Sequence, residues 1–143
     1  MSVDLALVSE ADPEQRDGQL KTLLGVGYQS HWAPTPTLLE QHLLGGVATT
    51  AATLLLVVDV VLAKACASAI EHNASQRRSL RLSPISVVLV FEPNTLTTVT
   101  RPALSSCEVL ELSEKPLSLT SLRDMAVRSR LESRRLELEA DRK

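Results

Sequence analysis

The run Thr53-Leu-Leu-Leu-Val-Val-Asp-Val-Val-Leu62 constrains this chain most, because it is the most apolar stretch and carries a single carboxylate, Asp59. Two foldings suit it. As a strand from about Leu54 to Val61 it lacks polar alternation, which places it inside a parallel sheet, buried on both faces. Val57, Val58, Val60 and Val61 favour the strand, since β-branched side chains fit a pleated surface better than a helix. As part of a helix over Leu43–Ala63 the same run is long enough, at ~20 residues, to cross a bilayer. Asp59 opposes that span at a cost of roughly 2.5–3.5 kcal/mol near a membrane-helix centre. Thr49, Thr50, Thr53 and the Gly45-Gly46 pair dilute the apolarity further, whereas the basic residues Lys64, Arg77, Arg78 and Arg81 on one side suit a span.

The flanking pattern extends the strand reading. A helix over about Ala63–Gln76 and a second apolar run, Ile85–Phe91, complete a strand–helix–strand unit. Upstream, Asp12-Pro13-Glu14 is a helix start, with an N-cap acceptor, a proline in the first turn and an acid beside it. That helix is expected to bury Leu20, Leu23 and Leu24 and to stop at Gly25, before a loop through Pro34. Thr35-Pro36 opens another helix, through Leu38, Leu39, Leu43 and Leu44. Downstream, Leu96–Thr100 and Cys107–Leu112 alternate as short strands; with Ile85–Phe91 they make three strands broken by Pro93 and Pro102, which predicts an antiparallel meander.

The expected fold is therefore α/β or α+β: a βαβ unit with a mixed sheet, N-terminal helices and a long C-terminal amphipathic helix. The alternative is an α-helical chain with one transmembrane helix near 43–63. The expected organisation is a frayed N-terminus over 1–11, a single α/β domain over 12–116 and the C-terminal helix over 117–143. A length of 143 residues is enough for one domain with its own core.

The terminal helix, expected from a Ser121/Asp124 capping pair to Asp141, projects two apolar stripes. Leu122, Met125, Ala126, Leu136 and Ala140 form one; Val127, Leu131 and Leu138 form another on nearly the opposite side. Acid-before-base pairs Asp124–Arg128 and Glu139–Lys143 support the helix. A helix with two stripes needs two neighbours, its own domain and a partner protein. Trp32, in a loop with His31 near Tyr28, is a further partner-contact candidate, since Trp and Tyr anchor interfaces.

Signals of catalytic or binding chemistry are sparse in the chain. Asp59 stands where acids hold magnesium or orient water in nucleotide-binding folds, but the chain has no Gly-rich loop ending in Lys-Ser or Lys-Thr. An ion pair with nearby Lys64 is the plainer role for it. His31, His42, His72, Cys66 and Cys107 share no metal-ligand spacing, and no nucleophile motif surrounds a serine. Aromatic residues make up 2% of the chain and the formal net charge is −2, which leaves neither stacking platforms nor general attraction for nucleic acid. An acidic N-terminal segment without a basic and apolar leader pattern points to an intracellular, cytoplasmic setting, with an organellar or cell membrane as the alternative.

These observations predict a non-catalytic subunit or adaptor that binds a protein partner through Val127, Leu131, Leu138 and Trp32. No catalytic, cofactor-binding or metal-binding residue is assigned, and no cofactor is expected. Two alternatives stand beside it: a single-span accessory subunit of a membrane complex, and a small nucleotide- or metal-binding enzyme using Asp59 with Gly25–Tyr28.

Overall fold

A computed structural model describes residues 3–93, 104 and 106–141. Its elements run β1 (Asp4–Val8), α1 (Pro13–Val26), β2 (Gln29–Trp32), α2 (Pro36–Leu44), α3 (Gly46–Thr50), β3 (Thr53–Asp59), α4 (Val60–Ala65), α5 (Ala67–Ser79), β4 (Ile85–Phe91), β5 (Cys107–Glu114) and α6 (Leu119–Asp141). The five strands form one sheet in the order β2-β1-β3-β4-β5, and every neighbouring pair is parallel. The fold is α/β.

Strand alternation divides the core in two. Leu5, Leu7, Leu54, Leu56, Val58, Val87 and Leu89 face α2, α3, α4 and α5, with Leu39, Leu43, Ala63 and Ile70 packed against them. Ala6, Val8, Leu55, Val57, Val88 and Val90 face the other way, onto Leu23 of α1 and Leu122, Met125 and Ala126 of α6. A sheet covered on both faces explains why β3 and β4 read as continuous apolar runs.

The strand reading of the most apolar run is therefore correct for Thr53–Asp59, whereas Val60 and Val61, expected in the strand, open α4 because the Asp59 side chain caps a helix there; the membrane alternative is not correct. Residues 43–63 are divided among α2, α3, β3 and α4, and no helix among the described residues is long and apolar enough to cross a membrane. The helices starting at Pro13 and Pro36 begin as expected, capped by the side chains of Asp12 and Thr35, but the first runs on past Gly25 to Val26 and leaves Leu24, expected to be buried, facing solvent. The long terminal helix is present too, although Ser118 rather than Ser121 caps it, its hydroxyl accepting from the Ser121 amide at 3.3 Å.

Three expectations are overturned. Residues 4–8, read as part of a frayed segment, form the strand at the middle of the β2-β1-β3 trio and are fully buried. The polar Asp4 is tolerated there because Arg130 and Arg134 of α6 reach it, each at 2.8 Å. The loop through Pro34 contains β2, a four-residue edge strand whose partly exposed Gln29–Trp32 gives no apolar signal. Finally, β5 pairs parallel to β4 rather than as part of an antiparallel meander, so the sheet is not mixed. It carries Glu108, Glu111 and Glu114 along the opposite rim of the sheet. The expected strand over 96–100 lies outside the described residues.

Behind the sheet's amino-terminal edge, Arg77 of α5 is buried and binds backbone rather than carboxylate. Its guanidinium donates to the carbonyls of Ser83 (3.1 Å), Ala48 (3.2 Å) and Ala51 (2.6 Å), with longer contacts to Ala52 O and Ser83 Oγ. The second half of α6 is seated nearby by hydroxyl pairs, Ser129 on Ser86 at 2.6 Å and Ser133 with Ser83 at 3.0 Å.

Candidate functional site

In a parallel sheet, strands leave their carboxyl ends on one edge, and a crevice opens where adjacent connections run to opposite faces. Here that point lies between β1 and β3, since α1 leaves β1 for one face and α4 leaves β3 for the other. Three strand exits converge on it.

Ser9 follows β1. Its hydroxyl donates to Val57 O (3.3 Å) and accepts from the Asp59 amide (3.2 Å), so it fastens the two strand exits together. Asp59 ends β3 and caps α4: one carboxylate oxygen accepts from the Val61 amide at 2.8 Å. The other lies 3.0 Å from Lys115 Nζ, which follows β5 and also reaches Glu92 at 3.0 Å. Lys115 is itself held by its amide, donating to Phe91 O at 2.9 Å. Burial works against the ammonium, but the hydrogen bonds to Glu92 and Asp59, and the negative charge of Asp59 and Glu10, outweigh it and hold its pKa above the ordinary lysine value.

Two adjoining clefts meet at Lys115. One, of about 330 Å³, has apolar walls from Pro34, Pro36, Val61 and Leu62 over Asp59. The other, of about 380 Å³, is lined by Glu10, Asp12, Gln15 and Glu92. Around the rim, Trp32 Nε1 donates to Glu10 O at 2.7 Å and the Arg16 guanidinium stacks over the indole, 4.5 Å from its centre. Trp32 is thus 41% exposed yet fixed in orientation.

The sequence found Asp59 and missed its partner. Lys64 was the expected counter-charge because it is five residues away; the observed one is Lys115, brought in by strand pairing across β4. The available signal was a lysine directly after an alternating strand, a position that shares an edge with Asp59 only if that strand is parallel. Gly25–Tyr28, grouped with Asp59 in the enzyme alternative, sits at the opposite end of the sheet. Gly27 is the left-handed cap of α1, and the Tyr28 hydroxyl donates to Ala126 O at 2.9 Å. Among the described residues no three His, Cys, Asp or Glu side chains are grouped to hold a metal ion. Val127, Leu131 and Leu138 lie on the solvent side of α6, being 39%, 64% and 60% exposed. Leu122, Met125 and Ala126 face the core. Trp32 belongs to the carboxyl-edge rim and is not part of that helix face.

No family model matches the chain, and no curated protein matches it. Solved structures do. The receiver domain protein (CheY-like) of Methanospirillum hungatei JF-1 is 16% identical with a TM-score of 0.61, covering 92% of this chain and 97% of that one. The receiver domain of sensor histidine kinase PA1611 from Pseudomonas aeruginosa PAO1, solved with magnesium in its active-site cleft, is 15% identical with a TM-score of 0.60, covering 90% and 98%. NtrX from Brucella abortus is 17% identical with a TM-score of 0.64; the match covers all of this chain and 30% of NtrX. At these identities the likeness concerns architecture: the chain has the fold of response-regulator receiver domains.

Proposed function

We propose that this chain is a non-catalytic signalling module built on the receiver fold, working by protein contact rather than by chemistry at its carboxyl edge. The observation that carries this reading is the Lys115 ammonium, held 3.0 Å from both Asp59 and Glu92. It supplies the positive charge that a cation would bring to the same carboxylates. The magnesium found in the PA1611 receiver domain is a poor fit to the residues of this chain. The position after β1 is a hydroxyl, Ser9, committed to Val57 O and the Asp59 amide. Glu10 turns its carboxylate back to the Asp12 amide at 3.2 Å. Asp59 has one oxygen on Val61 N and the other on Lys115. A hard cation seeks several carboxylate oxygens, and here the Lys115 ammonium already pairs with those of Asp59 and Glu92.

The adaptor reading adds that partners meet the chain on α6, whose outer stripe of Val127, Leu131 and Leu138 has no cover among the described residues. An intracellular setting belongs to the same reading.

The test is direct. Titrating magnesium by calorimetry should give no saturable heat, and incubation with magnesium and a small acyl phosphate should add no phosphoryl mass to the intact protein. Saturable magnesium binding that is lost in Asp59→Asn, or a phosphoryl adduct mapped to Asp59, would replace this reading with that of a phospho-accepting domain.

A further inference from the structure

The outer face of α6 is more specific than a bare apolar stripe. Val127, Leu131, Arg134 and Leu138 follow one another at spacings of four, three and four residues, the repeat of a helix that packs along another helix. Beside this stripe runs a groove of about 370 Å³ between α6 and the end of α1, lined by Gly25, Val26, Arg123, Val127, Arg130, Leu131 and Arg134. Both helices run antiparallel to the strands on one face of the sheet, so the groove lies between parallel neighbours, a seat shaped for a third helix. Its residues between Arg123 and Arg134 span roughly 16 Å of helix axis, about three turns.

The charge of the lining selects the occupant. Every titratable side chain lining the groove is an arginine. Arg130 and Arg134 share the single buried carboxylate of Asp4, and Arg134 also lies 3.7 Å from Glu137. Arg123, exposed, has no ion-pair partner among the described residues. The groove therefore keeps positive charge beside an apolar floor. A second copy lying parallel through the same stripe about a twofold axis would bring Arg134 against Arg134 and Arg123 against Arg123, like charges at the seam.

Resting on the adaptor reading above, we infer that the α1/α6 groove docks an amphipathic helix of a partner protein, with Leu, Ile or Val on its buried stripe and Asp or Glu flanking it. The arginines fix the sign of the flanks, and Val127, Leu131 and Val26 supply the contact.

Two labelled synthetic helices serve as probes, sharing a Leu/Ile stripe at three- and four-residue spacing, one flanked by Glu and the other by Lys. Fluorescence anisotropy should show the Glu helix binding about tenfold or more tighter than the Lys helix, a difference of ~1.4 kcal/mol, narrowing in high salt. Leu131→Glu should weaken the Glu helix by at least about tenfold. Arg123→Glu should shift preference towards the Lys helix; both substitutions lie on exposed positions, and circular dichroism confirms that each variant folds. Equal binding of the two probes, no binding of either, or binding unaffected by both substitutions overturns the inference. So does light scattering that shows a dimer dissociated by Leu131→Glu, which would assign the groove to a second copy. The magnesium and acyl phosphate measurements fail or succeed independently of these, so loss of the docking site and loss of the non-catalytic reading are distinguishable.

Discussion

Replacing Arg77 with methionine removes five N–H donors from a buried position while keeping most of the side-chain volume. Its acceptors come from α3 (Ala48), the α3–β3 connection (Ala51, Ala52) and the α5–β4 connection (Ser83), so one side chain ties a helix and two loops together at the amino-terminal edge of the sheet. Ala52 O keeps a donor in the variant, because Ser83 Oγ reaches it at 3.0 Å. The carbonyls of Ser83, Ala48 and Ala51 lose the guanidinium, and each buried acceptor left unmade costs about 1–3 kcal/mol. Against this stands the recovered cost of burying a cation with no carboxylate beside it, which is a few kcal/mol. Burial alone lowers the Arg77 pKa to about 10, so the group is still charged at neutral pH. The three unmade acceptors together cost about 3–9 kcal/mol, so the balance is a destabilisation of about 3 kcal/mol. With a urea slope of about 2 kcal/mol per molar, the midpoint falls by roughly 1.5 M. Arg77→Lys keeps the charge but offers three donors where five act, and should lose about half as much. Urea unfolding followed by far-ultraviolet circular dichroism decides it. A methionine variant within about 1 kcal/mol of the parent, at an unchanged slope, would refute the claim that these carbonyls depend on Arg77.

Other consequences are simpler to check. Arg81 holds the left-handed position after α5 with φ of 60°, where the Leu82 amide closes onto Arg77 O at 2.9 Å; Arg81→Gly should raise unfolding stability by ~0.5–1 kcal/mol in the same assay, and a loss of stability would show that the arginine side chain has a stabilising role there. His42 stacks on His31 at 5.0 Å, and burial first, then the His31 charge, lower its pKa from the ordinary 6.5. The unfolded chain then takes up the proton first, so this contribution is complete above about pH 6.5 and fades as pH falls through the lower folded value; His42→Gln should flatten the stability profile between about pH 7 and about pH 5, and an unchanged slope would contradict it. Burial, with the nearby Glu71 carboxylate, pushes the Cys107 thiol up to about 12, and burial with Glu40 raises Cys66. Neither should react with iodoacetamide near pH 8 at more than about a tenth of the rate of a free cysteine, which mass spectrometry of the folded protein can measure.

Where local signals were strong, the sequence and the structure agree. The β-branched runs became β3 and β4, and the two Pro-led helix starts became α1 and α2. The alternating Cys107–Leu112 became an edge strand. The misreadings share one cause, dependence on distant partners. Asp4 marked Leu5–Val8 as polar and frayed, because nothing nearby in the chain reveals that arginines 126 and 130 residues later satisfy it. Gln29–Trp32 has no strand signature of its own and is held by its register with Leu5–Val8. Pro93 and Pro102 read locally as breaks in a meander, yet β5 is parallel to β4. That single misreading also hid the site, since Lys115 meets Asp59 only when both strands end on the same edge. The outer stripe of α6 needed no such knowledge, because helical periodicity is a local property.

The two rims of the sheet are unequal, and this bears on how the protein behaves in concentrated solution. The β2 rim offers four residues and runs out at Ala33-Pro34, too short to template another chain. The β5 rim, an edge of the sheet among the described residues, offers eight and carries Glu108, Glu111 and Glu114. Replacing these glutamates with glutamine removes the mutual repulsion that keeps two such rims apart. Pairing about a twofold axis would then use up both long rims and leave only the short ones facing outward. Association by this route is self-limiting: it ends at a pair rather than growing into a fibre.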